Sequence, residues 1–185
     1  MDPGAENYRL YLSGDDTGLI EIIKEYRDGL IFFVNGFVND LYAAEEIAEN
    51  TFVKLAVKKP LFLGRSSFKT WLYSIGRNEA RSFLRRNSRF SYIPLDDAET
   101  YAYSGLCPET EYFRQKSRRT LHAALRRLTP EQHQALWLFY FENMSCRDVA
   151  KLTGRSTHAA ESLLSRARQA LKAELVKEGT DIEDL

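Results

Sequence analysis

Lys69, Tyr73, Arg77, Arg81 and Arg85 recur at steps of four, so a helix carrying them winds cations and an aromatic ring along one face. Guanidinium groups neutralise phosphates and aromatic faces accept unstacked bases, so this face suits a nucleic-acid strand. Trp71 neighbours it, and Arg86 and Arg89 prolong the positive charge. A second constellation is Ser145-Cys146-Arg147-Asp148, Ala150, Gly154 and Arg155-Ser156-Thr157. A capping box with Asp in place of Glu, a small residue and a glycine at these offsets predict two helices joined by a tight turn, a helix-turn-helix. Its second helix offers Thr157, His158, Glu161, Ser162, Ser165 and Arg166 to a major groove, with Arg155, Arg168 and Lys172 placed for phosphates. A third, acidic group of Glu45, Glu46, Glu49 and Asn50 projects away from Ile47, Ala48 and Phe52.

Other chemistries find no residues to carry them. His122, His133 and His158 show no metal-ligand spacing with Cys107 or Cys146. The acidic group lacks the Glu-x-x-His pairs of a helical carboxylate centre, and neither a phosphate loop nor a Ser or Cys nucleophile arrangement is present. No enzyme activity, metal or cofactor is expected. Two cysteines are too few for a disulfide framework and suit a reducing cytosol. The opening Met-Asp-Pro-Gly-Ala-Glu lacks the basic and apolar stretches of a signal peptide. No apolar run approaches the ~20 residues that span a bilayer, so a soluble, cytoplasmic chain without membrane insertion is expected.

The 185 residues carry 26 basic and 26 acidic side chains, but this neutrality is cancellation between blocks. Residues 1–57 hold 4 basic and 11 acidic residues (net −7), and 58–92 hold 9 and 1 (net +8). Residues 93–113 hold none and 5 (net −5), 114–176 hold 12 and 5 (net +7), and 177–185 hold 1 and 4 (net −3). Two basic segments between acidic ones can meet a polyanion at two places.

Helical periodicity dominates what must position these groups. Leu19, Ile20, Ile23, Leu30, Ile31, Val34, Phe37, Val38 and Leu41 form one stripe, preceded by the capping residues Asp15, Asp16 and Thr17. Ala44, Ile47, Ala48, Thr51, Phe52 and Leu55 form a second, which stops at Lys58-Lys59-Pro60. After a loop to Ser67, Phe68, Trp71, Leu72 and Ile75 open a third helix reaching about Arg86. Pro94, Gly105 and Pro108 punctuate an aperiodic stretch that reads as a linker. Beyond it, Thr129-Pro130-Glu131-Gln132 predicts a capping box. It opens a helix apolar nearly all round from Leu136 to Phe141, expected inside its domain. Ser156 or Thr157 caps the last helix, expected to end near Val176. Nothing alternates with period two, so an all-α fold of two small helical domains is expected.

In this order and spacing the chain resembles an extracytoplasmic-function (ECF) sigma factor of the sigma-70 family, the minimal type with only region 2 and region 4 domains. Ala44-Glu45-Glu46-Ile47-Ala48-Glu49-Asn50-Thr51-Phe52 is similar to the family's Asp-Ala-Glu-Asp…Gln…Phe stretch. Phe68-Lys69-Thr70-Trp71-Leu72-Tyr73-Ser74-Ile75-Gly76-Arg77-Asn78 is similar to its Phe-x-x-Trp-Leu-x-x-Ile-x-x-Asn signature. Leu128 to Gln132, Asp148-Val149-Ala150 and Ser165-Arg166-Ala167-Arg168 fit region 4. The resemblance implies a region 2 domain at 8–92, an acidic linker at 93–113, a region 4 helix-turn-helix domain at 114–176 and an acidic tail at 177–185.

It also implies roles. Glu45, Glu46, Glu49, Asn50 and Phe52 would dock on the clamp helices of the RNA polymerase β′ subunit. The loop with Phe62, Arg65, Ser66 and Ser67 would capture a flipped base of the promoter −10 element. Lys69, Trp71, Tyr73, Arg77, Asn78, Arg81 and Arg85 would hold the non-template strand as the duplex melts. Arg155, Ser156, Thr157, His158, Glu161, Ser162, Ser165, Arg166 and Arg168 would read the −35 element while region 4 sits on the β flap. An anti-sigma factor covering both domains is the expected inhibitor. Two departures stand out. Ala43 and Glu49 replace the family's first Asp and its Gln, and His158-Ala159-Ala160-Glu161-Ser162-Leu163 replaces Gly-Thr-Val-Lys-Ser-Arg. Losing roughly two cations there should flatten the salt dependence by about two log units per log unit, and Glu161 can accept from a cytosine amino group. The alternative reading is a conventional helix-turn-helix regulator that binds duplex operators without being a polymerase subunit.

Overall fold

The computed structural model describes residues 2–87, 120–121, 123–125 and 127–177; the expected linker at 93–113 and the expected tail beyond Lys177 lie outside them. The helices are α1 (Pro3–Leu12), α2 (Thr17–Val38), α3 (Leu41–Lys58), α4 (Phe68–Asn87), α5 (Pro130–Leu136), α6 (Cys146–Thr153) and α7 (Thr157–Lys177). A π-helical segment, Trp137–Phe141, continues α5, and the described part of 120–125 is also helical. No strand occurs among the described residues, and the fold is all-α.

The three expected N-terminal stripes become α2, α3 and α4, except that Leu41, expected on the first, begins α3 beyond the Asn39–Asp40 corner. The three helices pack on one another around Ile22, Leu30, Phe33, Ile47, Leu55, Leu72 and Tyr73. Asp15 starts α2 by accepting the Thr17 N–H at 3.0 Å. At the next corner Asn39 adopts a left-handed conformation (φ 50°) and the Asp40 carboxylate accepts the Ala43 N–H at 3.2 Å, so α3 follows at once. Lys59 (φ 43°) and Pro60 end it.

α1 is absent from the sequence-based reading, which assigns no helix ahead of the Asp15 cap. It extends the packed unit in front of residue 8, back to Asp2. One Asp2 oxygen caps α1 through the Ala5 N–H at 3.3 Å, and the other accepts the Phe68 N–H at 2.6 Å where α4 begins. One carboxylate thus satisfies free amides of two helix starts.

In the C-terminal unit the Thr129 box forms as expected: the hydroxyl accepts the Gln132 N–H at 3.4 Å, and the Gln132 side-chain Oε1 accepts the Thr129 N–H at 3.2 Å. Ser145 forms only half of its box. It accepts the Asp148 N–H at 3.2 Å, but Asp148, one methylene shorter than Glu, bonds the Ser145 hydroxyl at 2.6 Å instead of the backbone N–H. Gly154 makes the turn in the left-handed region (φ 70°), which a Cβ would strain. Ser156, not Thr157, caps α7, accepting the Ala159 N–H at 3.2 Å.

The expectation that Leu136 to Phe141 lies wholly inside needs correction. Leu136, Trp137 and Leu138 are buried, but Tyr140 is 52% exposed and Phe141 lies outside with it. The Glu142 N–H bonds the Trp137 carbonyl, five residues back, at 3.1 Å. That wider turn rotates the last residues off the buried stripe. The two units pack together, α2 against α5 and the π segment, α4 against α6.

Candidate nucleic-acid interface

The loop between α3 and α4 is held from beneath by α1. The Tyr8 hydroxyl donates to the Pro60 carbonyl at 2.8 Å, and the Tyr11 hydroxyl donates to the Ala56 carbonyl at 2.9 Å. Phe62 folds inward, its ring 5.1 Å from Trp71 and 5.6 Å from Phe68, so these aromatics form the floor. Leu61 and Leu63 point outward, 74% and 61% exposed. Leu61, Phe62, Leu63, Arg65, Ser66 and Trp71 line a shallow cavity of about 140 Å³. Exposed apolar side chains beside a ring floor and a guanidinium suit a planar, partly charged guest. The sequence reading gave this role to the loop from Pro60 to Ser67 and singled out Phe62, Arg65, Ser66 and Ser67, with Trp71 on the strand-holding helix. It did not single out Leu61 and Leu63, whose signal is two leucines in a loop with no core to join.

The cationic row on α4 divides. Arg81 and Arg85 are exposed, as is Asn78. Tyr73 is fully buried, and Lys69 and Arg77 are half-buried beneath the C-terminal unit. The Lys69 ammonium pairs with the Glu142 carboxylate at 3.0 Å. The Arg77 guanidinium donates to the carbonyls of Lys151, at 3.3 Å, and Leu152. Burial, and then the neighbouring Arg81, lower the Arg77 pKa from its ordinary value. Burial, and then the Glu142 charge, hold the Tyr73 phenol well above the usual tyrosine range.

On α3, Glu46, Glu49 and Asn50 are exposed and Glu45 is half-buried. Phe52 is only 6% exposed and belongs to the core beneath the acidic face. Tyr42, Val53 and Val57 are exposed on this helix and were not named from sequence. With Glu46 and Glu49 they follow steps of three and four, which puts apolar groups and carboxylates on a single outward stripe.

On α7, Thr157, His158, Glu161, Ser162, Ser165 and Arg166 are all exposed, with Ser156 just ahead of them. Their i, i+4 and i+7 relations place a polar row along the outer face, opposite the buried Ala160, Leu163, Leu164 and Ala167. Two flanking arginines are engaged within the unit. Arg155 pairs with Glu131 at the start of α5. The Arg168 guanidinium lies 5.8 Å and 5.7 Å from the Phe139 and Tyr140 ring centres. No group of His, Cys, Asp or Glu able to hold a metal occurs among the described residues, and no described helix is long and apolar enough to cross a membrane.

Comparison with known proteins follows the same division. The Sigma-70 region 2 model matches residues 22–90 and the Sigma-70, region 4 model matches residues 118–171. The chain is 28% identical over 166 residues to the RNA polymerase sigma-H factor of Pseudomonas aeruginosa, covering 85% of this chain and 86% of that protein. It is 22% identical over 170 residues to the ECF RNA polymerase sigma factor SigW of Bacillus subtilis, covering 88% and 91%. The sigma factor RpoE of Bartonella quintana, solved in complex with the anti-sigma factor NepR, superposes with a TM-score of 0.65 at 25% identity, covering 85% of this chain and 95% of that one. Two helical units, one with a cationic helix and one with a helix-turn-helix, define a transcription initiation factor that binds polymerase and directs it to promoters. The chain belongs to the sigma-70 family, in its ECF branch. The region 2 match leaves the conventional-regulator alternative without support.

Proposed function

We propose that this sigma factor grips one promoter at two places while the acidic stripe of α3 holds core RNA polymerase. The division follows residues 8–92, with α1 added in front, and 114–176, joined by the acidic linker. The α3–α4 loop takes a flipped −10 base, and Trp71, Asn78, Arg81 and Arg85 hold the opened strand, joined by Lys69 and Arg77 when those are uncovered, while Tyr73, expected among them, backs them from the core. The outer row of α7 reads the −35 element, with Arg155 and Arg168 at its edges. Glu45, Glu46, Glu49 and Asn50, flanked by Tyr42 and Val53 and backed by buried Phe52, meet the β′ clamp helices, and the C-terminal unit sits on the β flap. Each contact alone is weak, but tethering raises the effective concentration for the second.

The observation that carries this reading is the outward polar row of α7 on the helix-turn-helix, standing in one chain with the exposed arginines of α4. The factor has no catalytic step of its own and works in the cytoplasm. The likeness to RpoE, solved with its anti-sigma factor, supports an anti-sigma partner. The test is reconstitution with core polymerase on fragmented genomic DNA, followed by sequencing of transcript starts. Starts sharing paired −10 and −35 elements are expected; core polymerase that fails to retain the chain overturns the proposal.

A further inference from the structure

We infer that Glu161 fixes one position of the −35 element, taking a cytosine on the strand it faces and rejecting guanine and thymine there. This inference rests on the reading of α7 just given. The helix is held in one rotation. Ala160, Leu163, Leu164 and Ala167 are buried on its inner side, so Thr157, Glu161 and Ser165 follow one another up the outer side, four residues apart. The turn before it is equally fixed: the Arg155 N–H donates to the Ala150 carbonyl at 2.9 Å, Gly154 stands in the left-handed region and Ser156 caps the first turn. Glu161 therefore lies one turn into α7, in the N-terminal part that meets base edges when a recognition helix enters a major groove.

Charge sets this residue apart from its row. Arg155 is paired with Glu131, the Arg166 Nε donates to the Ser162 carbonyl, and the Arg168 guanidinium lies over the Phe139 and Tyr140 rings. None of these cations neutralises Glu161, whose carboxylate has no hydrogen-bond or ion-pair partner among the described residues. An unpaired carboxylate carried toward a duplex meets two rows of phosphates, and that repulsion weakens binding to every sequence alike. It is offset only where a base edge donates a hydrogen bond. Where the family stretch Gly-Thr-Val-Lys-Ser-Arg has Lys, this chain has Glu161. A lysine donates and a carboxylate only accepts, so the base chosen here is this chain's own.

The four bases are unequal partners for such a group. In the major groove guanine shows only the acceptors N7 and O6, and thymine shows O4 and a methyl group, so neither donates to Glu161. Adenine and cytosine each present one amino group. Beside the adenine amino group lies N7, an acceptor facing the second carboxylate oxygen, so one bond is made against one repulsion. Beside the cytosine amino group lies only a C–H edge. Cytosine is therefore favoured, adenine comes second, and guanine and thymine are excluded. Ser162 and Ser165 are exposed on either side, but a hydroxyl both donates and accepts and adds no comparable preference.

The test uses holoenzyme reconstituted from core polymerase and the full chain, a random-sequence duplex library, and sequencing of the retained DNA for the parent and three variants. Glu161 is exposed, so its replacement leaves the fold intact. The parent is expected to enrich a −35 element with cytosine at one position by about tenfold over guanine, the scale of one base contact. E161A is expected to lose the preference at that position alone. E161Q is expected to move it to adenine, whose amino group and N7 an amide meets together, and E161K to guanine. The same cytosine preference in the parent and E161A overturns the inference, as does a base other than cytosine at the position that E161A relaxes. So does a uniform gain in retention of all duplexes by E161A with the preferred sequence unchanged, which would leave Glu161 a repelling charge and nothing more. A parent holoenzyme that retains DNA without enriching any −35 element strikes the reading of α7 itself, whereas an enriched element indifferent to residue 161 strikes this inference alone.

Discussion

The Tyr8 hydroxyl donates to the Pro60 carbonyl across 52 residues of sequence, tying α1 to the start of the α3–α4 loop. Tyr8→Phe keeps the ring on Phe68 and Trp71 and removes only this bond. A loss of about 1 kcal/mol is expected, or roughly 4–8 °C in Tm for a unit of this size. Calorimetry checks the stability, and run-off transcription is expected to fall with it.

The same residue makes stability depend on alkaline pH. Burial, and then the nearby Tyr11, push the Tyr8 pKa up from 10.0 to about 12; burial also raises Tyr26 and Tyr73. Above pH 10 the unfolded chain releases these protons while the folded chain keeps them, so the native state loses stability as pH climbs from about 10 to 12. The urea midpoint is expected to be lower at pH 11 than at pH 8, and Tyr8→Phe should shrink that difference. Equal midpoints at the two pH values would contradict the assignment.

Charge reversal at Glu46 and Glu49 addresses polymerase docking. Both are exposed, so replacement by Lys should change stability by no more than about 0.5 kcal/mol. Retention on immobilised core polymerase is expected to drop at least tenfold, about 1.4 kcal/mol, with duplex DNA binding by α7 unaffected.

Arg166 stands in the outer row of α7 with only a long 3.4 Å bond from its Nε to the Ser162 carbonyl. If it meets a phosphate, Arg166→Ala reduces the slope of log affinity against log salt by about 1 and weakens all duplexes alike. A changed sequence preference with an unchanged slope would make it a base reader instead.

The stripes of α2, α3 and α4 were legible from their 3.6-residue apolar period, and the end of α3 from Lys59-Pro60, whereas the corner at Asn39–Asp40 was not, because Leu41 continues the apolar spacing across it. The caps at Thr129 and Ser145 and the glycine turn at Gly154 were legible for the same local reasons. Phe52 stands on the apolar stripe with Ala48 and Leu55 in the sequence reading too, and only the family resemblance moved it to the docking face. α1 was missed because a ten-residue helix offers little periodicity; its signal was Asp2 followed by Pro3, a cap and a first-turn proline. The burial of Tyr73 comes from α2, where the Phe33 ring lies 5.2 Å from its own, and the cover over Lys69 and Arg77 comes from a second unit more than fifty residues away. Neither could be read from α4 itself. The outward turn of Tyr140 and Phe141 follows from π-helical spacing, which no 3.6-residue template anticipates.

The bond from Asp2 to Phe68 also imposes an order on synthesis. At roughly 5–20 residues per second on the ribosome, the partner of Asp2 emerges several seconds after it. Until then Tyr8 has neither Phe68 nor Trp71 to shelter it. α1 can rest on α2 as soon as that helix is made, but its tie to the loop and to α4 closes only later. A nascent chain stalled before α4 would therefore leave Tyr8 without its aromatic partners for chaperones to find.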